Sequence, residues 1–357
     1  MLWHAILTMN FLLVLWWSSL VIAGVALGWL AGLVLARVFR NRRDARRNAD
    51  REMLSSAYMS IMRGADDAAA RLEPFQHRSR LLAETLLEVL GLVRGAERER
   101  LIESLFAAGV DERLRSRLMR GSRTGRLAAV EALSVFPSAE TRAALESLHK
   151  TSYDAGIRIA TVRALIDIGA PPRARDLIAD LEGHSDGDSL LYAPVLRQLA
   201  IGAPAEALSA LAILELNIAT RAVVIDAVGA SGDYRALPTL SRLATAPETV
   251  LRMAAMRALG DLAHPASADT VAVALSDEAW DVRAEAATSA GRIGGPALTT
   301  ELVSLLDDPV WWVRFRAADA LSRMGRGGVT ALEAAATSPV EVVRLSASLA
   351  LAERSAT

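Results

Sequence analysis

Residues 278–294 read EAWDVRAEAATSAGRIG and residues 309–325 read PVWWVRFRAADALSRMG, and the two stretches align without a gap. Each has an apolar residue, then an arginine, then Ala-rich apolar spacing that ends near a glycine. Residues 247–263 and 339–355 follow the same pattern. Apolar residues spaced three and four apart are typical of an amphipathic helix. The four stretches therefore predict one helical unit that is used repeatedly.

The arginine of this unit recurs along most of the chain. Successive copies lie 32, 63, 31, 31, 31 and 30 residues apart, and the double interval holds one more unit, with Ser189 in place of the arginine. A period near 31 residues is typical of helical repeats that stack into a solenoid. We call these residues the slot arginines: Arg126, Arg158, Arg221, Arg252, Arg283, Arg314 and Arg344.

A second helix is predicted between successive slot arginines, for example at residues 139–148, 204–214 and 297–306. Proline and glycine mark the turns, as in Gly294-Gly295-Pro296, and proline is tolerated in the first turn of a helix. Residues 78–120 read as one or two irregular pairs. The predicted fold is all-α, with a solenoid of about eight to nine helix pairs over residues 78–357.

The first 36 residues contain no Asp, Glu, Lys or Arg, and residues 11–36 form one apolar run. About 20 apolar residues suffice to cross a bilayer as a helix. A cleaved signal peptide would have a basic start and a shorter apolar core. The sequence therefore predicts a single transmembrane helix as the first domain, residues 1–36, followed by a basic helix and linker at residues 37–77.

The segment after this run carries seven arginines and two aspartates, a net charge of +5, whereas residues 52–357 carry a net charge of −6. Positive charge beside a span favours the cytoplasmic side. We therefore expect a single-pass protein of the inner (cytoplasmic) membrane, with its N-terminus outside and the repeats in the cytoplasm. The same arginines are candidates for contact with anionic lipid headgroups: Arg37, Arg40, Arg42, Arg43, Arg46, Arg47 and Arg51.

Small residues recur every fourth position in the apolar run, at Gly24, Gly28, Gly32 and Ala36. Residues four apart lie on one helix face, and small residues let another helix approach closely. The stripe predicts packing against a second membrane helix, either from another copy or from another membrane protein.

The repeat resembles HEAT repeats, in particular the short bacterial type found in phycobilin lyases. The residues that carry the resemblance are Asp277, Val282-Arg283 and Gly294 in one unit, and Asp308 and Val313-Arg314 in the next. The resemblance implies an Arg–Asp ladder between neighbouring repeats. It is partial here, because Ala246 and Ser338 replace the aspartate elsewhere. The resemblance implies protein binding more than catalysis.

No motif for catalysis, metal or cofactor binding is present. The chain has no cysteine, and no two of its five histidines have the i, i+4 spacing of a helical metal site. Phosphate-binding and nucleophile motifs are also absent from the sequence. We therefore predict a non-enzyme without a cofactor. The single lysine among 40 basic residues indicates a GC-rich bacterial genome.

Two features are candidates for binding a partner. Trp280 and Trp311 take the same position, three residues before a slot arginine, and Trp312 follows directly. Exposed tryptophans are frequent interface anchors, although packing on a neighbouring helix turn would also explain them. The last predicted helix, residues 340–352, is apolar on more than one face. Its outer face therefore either holds a partner or belongs to a frayed end.

The favoured function is a membrane-anchored scaffold that binds a cytoplasmic protein and packs against another membrane protein, as an accessory subunit of a membrane enzyme or transporter. The alternative, from the resemblance, is a lyase or chaperone that acts on a chromophore-bearing protein. A HEAT-like DNA glycosylase is disfavoured, because nucleic-acid binding requires a basic surface and residues 52–357 are acidic overall. We therefore expect no nucleic-acid partner.

Overall fold

A computed structural model describes residues 17, 28–30, 32–37, 42, 45, 46, 48–63, 67–75, 78–183, 189–213 and 215–356. These residues form helices and turns and no strand. The chain divides into two compact units, Met1–Phe136 and Pro137–Thr357. The all-α prediction is confirmed for the described residues.

The first unit contains six described helices. Its core is made of leucines, and Tyr58 lies fully buried among them, donating a hydrogen bond to the carbonyl oxygen of Leu82 at 3.1 Å. Burial raises the pKa of the Tyr58 hydroxyl well above its usual range. The helices are α1 (48–62), α2 (Ala68–Leu72), α3 (Ser79–Leu92), α4 (Ala96–Ala107), α5 (Val110–Arg120) and α6 (Arg123–Leu133).

The second unit is a solenoid of seven helix pairs. Each even-numbered helix from α10 to α18 packs against the next even-numbered one, so one core runs through the stack. The helices are α7 (Ala139–Thr151), α8 (Ala155–Asp167), α9 (Ala174–Gly183), α10 (Ser189–Gly202), α11 (Pro204–Ile213), α12 (Ile218–Ala230), α13 (Leu237–Leu243), α14 (Thr249–Leu262), α15 (Ala268–Ala274), α16 (Trp280–Ile293), α17 (Pro296–Ser304), α18 (Trp311–Arg323), α19 (Gly325–Ala335) and α20 (Glu341–Ala356).

Local sequence sets where many of these helices begin. The side chains of Ser138, Asp154 and Asn217 each accept a hydrogen bond from the backbone N–H three residues later, which satisfies a free donor of the first turn. Gly294 and Gly295 have positive φ, which glycine adopts without strain, and Pro296 then begins α17. All seven slot arginines and Ser189 fall in even-numbered helices.

Five of the slot arginines fix the turn before their own helix. In each of them Nη1 donates a hydrogen bond, 2.7–3.1 Å long, to the carbonyl oxygen six residues earlier. The guanidinium thereby satisfies a carbonyl group of a turn that no helix can satisfy. The five are Arg158, Arg252, Arg283, Arg314 and Arg344.

Two slot arginines also reach the next repeat. Arg252 donates through Nε and Nη2 to both carboxylate oxygens of Asp277, at 2.9 Å each, and Arg283 does the same to Asp308, at 2.7 and 3.1 Å. Each aspartate also accepts the backbone N–H two residues later, which shapes its own turn. Asp277 and Asp308 are the two ladder aspartates that are present in the sequence.

The other slot arginines lack this aspartate. Arg158 is 2% exposed; its Nε donates to the hydroxyl of Tyr192 at 2.8 Å and lies 3.6 Å from a carboxylate oxygen of Asp180. Within the described residues Arg221 and Arg314 have no acidic partner, in line with Ala246 and Ser338 at the ladder position. Arg126, in α6 of the first unit, is half-buried, and its Nε makes no hydrogen bond among the described residues.

Successive even-numbered helices approach each other closely at three glycines 31 residues apart. A Cβ on Gly291 would lie 2.8 Å from Cβ and 2.9 Å from Cα of Ala320. Gly229 faces Ala258 and Gly260 faces Ser289 in the same way. Ser289, which is buried, donates a hydrogen bond to the carbonyl oxygen of Met256 in the preceding helix, at 2.7 Å.

We expect Arg283→Gln to lower the free energy of unfolding by about 3 kcal/mol, because it leaves the buried carboxylate of Asp308 without its cation. Arg314→Gln is the matched control: it removes similar carbonyl contacts but no ion pair, and should cost about 1 kcal/mol. Urea denaturation of the full chain measures both. Equal losses would contradict a stabilising role for the aspartate contact.

Gly291→Ala should lower the free energy of unfolding by about 1–3 kcal/mol, because α16 and α18 must separate to admit the methyl group. In Gly327→Ala, within α19, the added Cβ meets no atom within 4 Å, so this variant should be neutral or slightly stabilising. Thermal unfolding followed by circular dichroism compares the two. A neutral Gly291→Ala would show that the close contact is not required.

Candidate protein-interaction surface

Three aromatic side chains cluster at the start of α18. Trp311 and Trp312 both lie against Phe315, one turn later, with ring centroids 5.4 and 5.3 Å apart and interplanar angles of 19° and 20°. The two tryptophan rings are 5.6 Å from each other. Trp311 is 55% exposed and Trp312 is 38% exposed. We call Trp311, Trp312 and Phe315 the aromatic cluster.

A cation already occupies one face of this cluster. The guanidinium of Arg316 lies 4.9 Å from the ring centroid of Trp312, within the range of a cation–π interaction. Trp312 therefore already engages a planar cation from its own helix.

Trp280 lies one repeat earlier, at the start of α16, and is 46% exposed. Trp280 and Trp311 take equivalent repeat positions, but within the described residues their rings make no contact. The residue that completes the cluster is Phe315, which the sequence prediction did not include, although its i+3 and i+4 spacing from the tryptophans is a usable signal.

A narrow groove runs between α18 and α20 beside the aromatic cluster. Trp311 and Phe315 line it from α18, and Leu349 lines it from α20. Two carboxylates, Asp319 and Glu353, also line it. The groove therefore combines aromatic, aliphatic and negatively charged walls; its remaining lining residues are Ala318, Ser346 and Ala350.

The outer face of α20 continues this apolar surface. Ala347 and Ala350 are buried, whereas Val342, Leu345 and Leu349 are exposed, the last two by 60% and 50%. The spacing of the exposed residues, i, i+3 and i+7, puts them on one helix face. The predicted apolar helix at 340–352 is thus present as Glu341–Ala356, and one of its apolar faces lies open.

A separate surface with several ion pairs runs across α10, α12, α14 and α16. Arg257 binds both carboxylate oxygens of Asp226, at 3.1 and 3.2 Å, and lies 3.9 Å from Glu285. Burial raises the pKa of the Asp226 carboxyl although Arg257 acts in the opposite direction. Asp261 pairs with Arg292 and with Arg197. These pairs join neighbouring helices, so we interpret this surface as structural.

The predicted membrane segment, residues 1–36, lies for the most part outside the described residues. Gly28, Gly32 and Ala36 are helical and exposed, and a Cβ on either glycine would meet no atom within 4 Å. Gly24 lies outside the described residues. Within the described part of the chain, no helix combines the length and the apolar character that crossing a bilayer requires.

The predicted lipid-binding arginines are described in part. Arg37, Arg42 and Arg46 are helical and exposed. Arg51, in α1, lies 3.3 Å from Glu84 of α3. The remaining three, Arg40, Arg43 and Arg47, lie outside the described residues.

Nothing in the described residues forms a cluster of three or more His, Asp or Glu side chains that could hold a metal ion. The pocket of the second unit that is lined by Ser241, Asp269 and Asp277 has the ion pair of Arg252 in its wall, so Arg252 and Asp277 are already engaged in the ladder.

The family model for HEAT repeats matches residues 205–279 and 268–352. This part of the chain is therefore similar to HEAT repeats, which supports the HEAT-repeat resemblance over these residues. The match begins after α10, so it does not include the helix pairs before residue 205. No curated protein matches the chain.

Several solved structures are similar to the chain at low identity. An engineered protein is 19% identical, covering 87% of this chain and 96% of that chain, with a TM-score of 0.35. Human deoxyhypusine hydroxylase is 17% identical, covering 80% and 100%, with a TM-score of 0.30. Kap95p, in a structure with RanGDP, is 13% identical, covering 86% and 50%, with a TM-score of 0.48.

The exposed aromatics should contribute little to folding. We expect Trp312→Ala to lower the free energy of unfolding by less than about 1.5 kcal/mol, the loss of one exposed aromatic contact. Leu321→Ala, a fully buried position in the same helix, should cost about 3 kcal/mol. Urea denaturation compares the two. Equal losses would mean that Trp312 is a core residue.

Proposed function

We propose that this HEAT-repeat protein is a membrane-anchored scaffold that binds a protein partner through the end of its second unit. The observation that carries the proposal is the aromatic cluster, in which Trp311 and Trp312 are exposed and Phe315 is half-buried on a well-packed helix. Tryptophan is enriched at protein interfaces and among the residues that dominate binding energy. The exposed face of α20 extends the same surface.

The proposed anchor is the apolar segment at residues 1–36. Its support is the absence of charge over 36 residues and the arginines that follow directly. The described helical residues 28–30 and 32–37 expose Trp29, Leu30 and Leu35 by more than half, as lipid-facing side chains would be. The charge pattern favours the inner membrane, with the repeats in the cytoplasm and the arginines against anionic headgroups.

The anchor is also proposed to contact a second membrane helix through Gly24, Gly28, Gly32 and Ala36. With one partner in the membrane and one on the repeats, the protein would act as a non-catalytic accessory subunit of a membrane enzyme or transporter. HEAT repeats commonly serve as protein-binding surfaces, and this supports the scaffold assignment.

Site-specific photo-crosslinking tests the binding surface. A photoreactive amino acid in place of Trp312 should crosslink one protein in the native membranes. The matched control replaces Tyr153, an aromatic residue that is 94% exposed elsewhere in the second unit. We expect a discrete crosslinked band at position 312 and none at position 153. Identical products at both positions, or none at 312, would contradict the proposal.

The anchor is tested by purifying the tagged full chain from its own membranes in mild detergent. In the Gly28→Ile variant, the amount of co-purifying membrane protein should fall at least tenfold, because the branched side chain blocks close helix approach. Leu33→Ile, in the same apolar run, alters shape but not size and should have no effect. Retention of the partner by Gly28→Ile would exclude the glycine face, and extraction of the protein by alkaline carbonate would exclude the anchor.

A further inference from the structure

The groove between α18 and α20 has two carboxylates, Asp319 and Glu353, and one ion pair among the described residues. Arg323 binds Oδ1 of Asp319 at 3.0 Å. Within the described residues, Oδ2 of Asp319 and both oxygens of Glu353 accept no hydrogen bond and form no ion pair. Within the described residues, three carboxylate oxygens are therefore available as acceptors at the edge of an aromatic and aliphatic groove, which is an arrangement that attracts a cation.

The lining of the groove favours a planar cation. Trp311 and Phe315 line it from α18, and Leu349 lines it from α20. A guanidinium is flat, stacks on aromatic rings and donates several hydrogen bonds in its plane, whereas an ammonium is compact and strongly hydrated. The aromatic cluster already holds one such group, because Arg316 lies over Trp312.

We propose that this groove binds the side chain of an arginine from the partner protein. The guanidinium lies against Trp311 and Phe315 and donates to Asp319 and Glu353, while its aliphatic stem lies along Leu349. The inference rests on the proposed function, since it names the chemistry by which the same surface recognises its partner. It adds that recognition depends on charge as well as on apolar area.

The test uses the full chain in mild detergent, labelled with 5-fluorotryptophan and observed by ¹⁹F NMR. Trp311→Phe assigns the Trp311 resonance among the seven tryptophans. The probes are three acetylated, amidated pentapeptides, Gly-Leu-Xaa-Leu-Gly, in which Xaa is arginine, lysine or citrulline. Citrulline keeps the size and planarity of arginine without its charge.

We expect the arginine peptide to shift the Trp311 resonance and to bind at least tenfold more tightly than the citrulline peptide, with lysine between them. Asp319→Asn/Glu353→Gln should weaken the arginine peptide at least tenfold. Glu341→Gln is the control, because Glu341 is exposed on α20 but does not line the groove. The Trp280 resonance should not move.

Equal binding of the arginine and citrulline peptides, no shift with the arginine peptide, or full binding by the double variant would overturn the inference. The crosslinking result distinguishes failure of this inference from failure of the proposed function. If the double variant still crosslinks its partner through position 312, the scaffold function stands and the arginine subsite is wrong. If the arginine peptide binds but no partner crosslinks, the subsite stands and the scaffold function is wrong.

Discussion

The contact on which the second unit depends is the one between a slot arginine and the turn that precedes its helix. Each turn leaves carbonyl groups that no helix can satisfy, and five guanidinium groups donate to them. Where the next repeat supplies an aspartate, the same guanidinium spans both repeats. The paired hydrogen bonds from the guanidinium to Asp277 or Asp308 hold neighbouring turns together. The close contacts at Gly229, Gly260 and Gly291 hold neighbouring helices together.

Stacking of this kind leaves an unburied face at the end of a unit. Every internal even-numbered helix covers the previous one, but α20 keeps Val342, Leu345 and Leu349 open. The aromatic cluster lies on the neighbouring helix and meets α20 at the groove. Apolar area, exposed indole rings, the ion-paired carboxylate of Asp319 and the carboxylate of Glu353 thus lie together. This combination distinguishes the surface from the charge-matched pairs around Arg257 and Asp261.

The repeat period was enough to predict the helix pairs and the positions of the slot arginines, because stacked repeats reuse one helical pattern. The incomplete ladder also followed from the missing aspartates. The hydrogen bond from Arg158 to Tyr192 could not be predicted in this way, because Tyr192 lies 34 residues away in a repeat whose slot residue is Ser189. Phe315 and the groove walls were missed, because they depend on which faces of α18 and α20 meet in space. The glycines 31 residues apart were visible in the sequence, but only the packing shows why they lack a side chain.

The central claim is that a partner covers the aromatic cluster in the native membrane. Hydroxyl-radical footprinting tests it most directly, because the oxidation rate of tryptophan and tyrosine follows solvent access. The account predicts that Trp311 and Trp312 are protected at least severalfold in native membranes relative to the purified protein, while Tyr153 is equally reactive in both. Unchanged reactivity of Trp311 and Trp312, with protection elsewhere on the repeats, would contradict it.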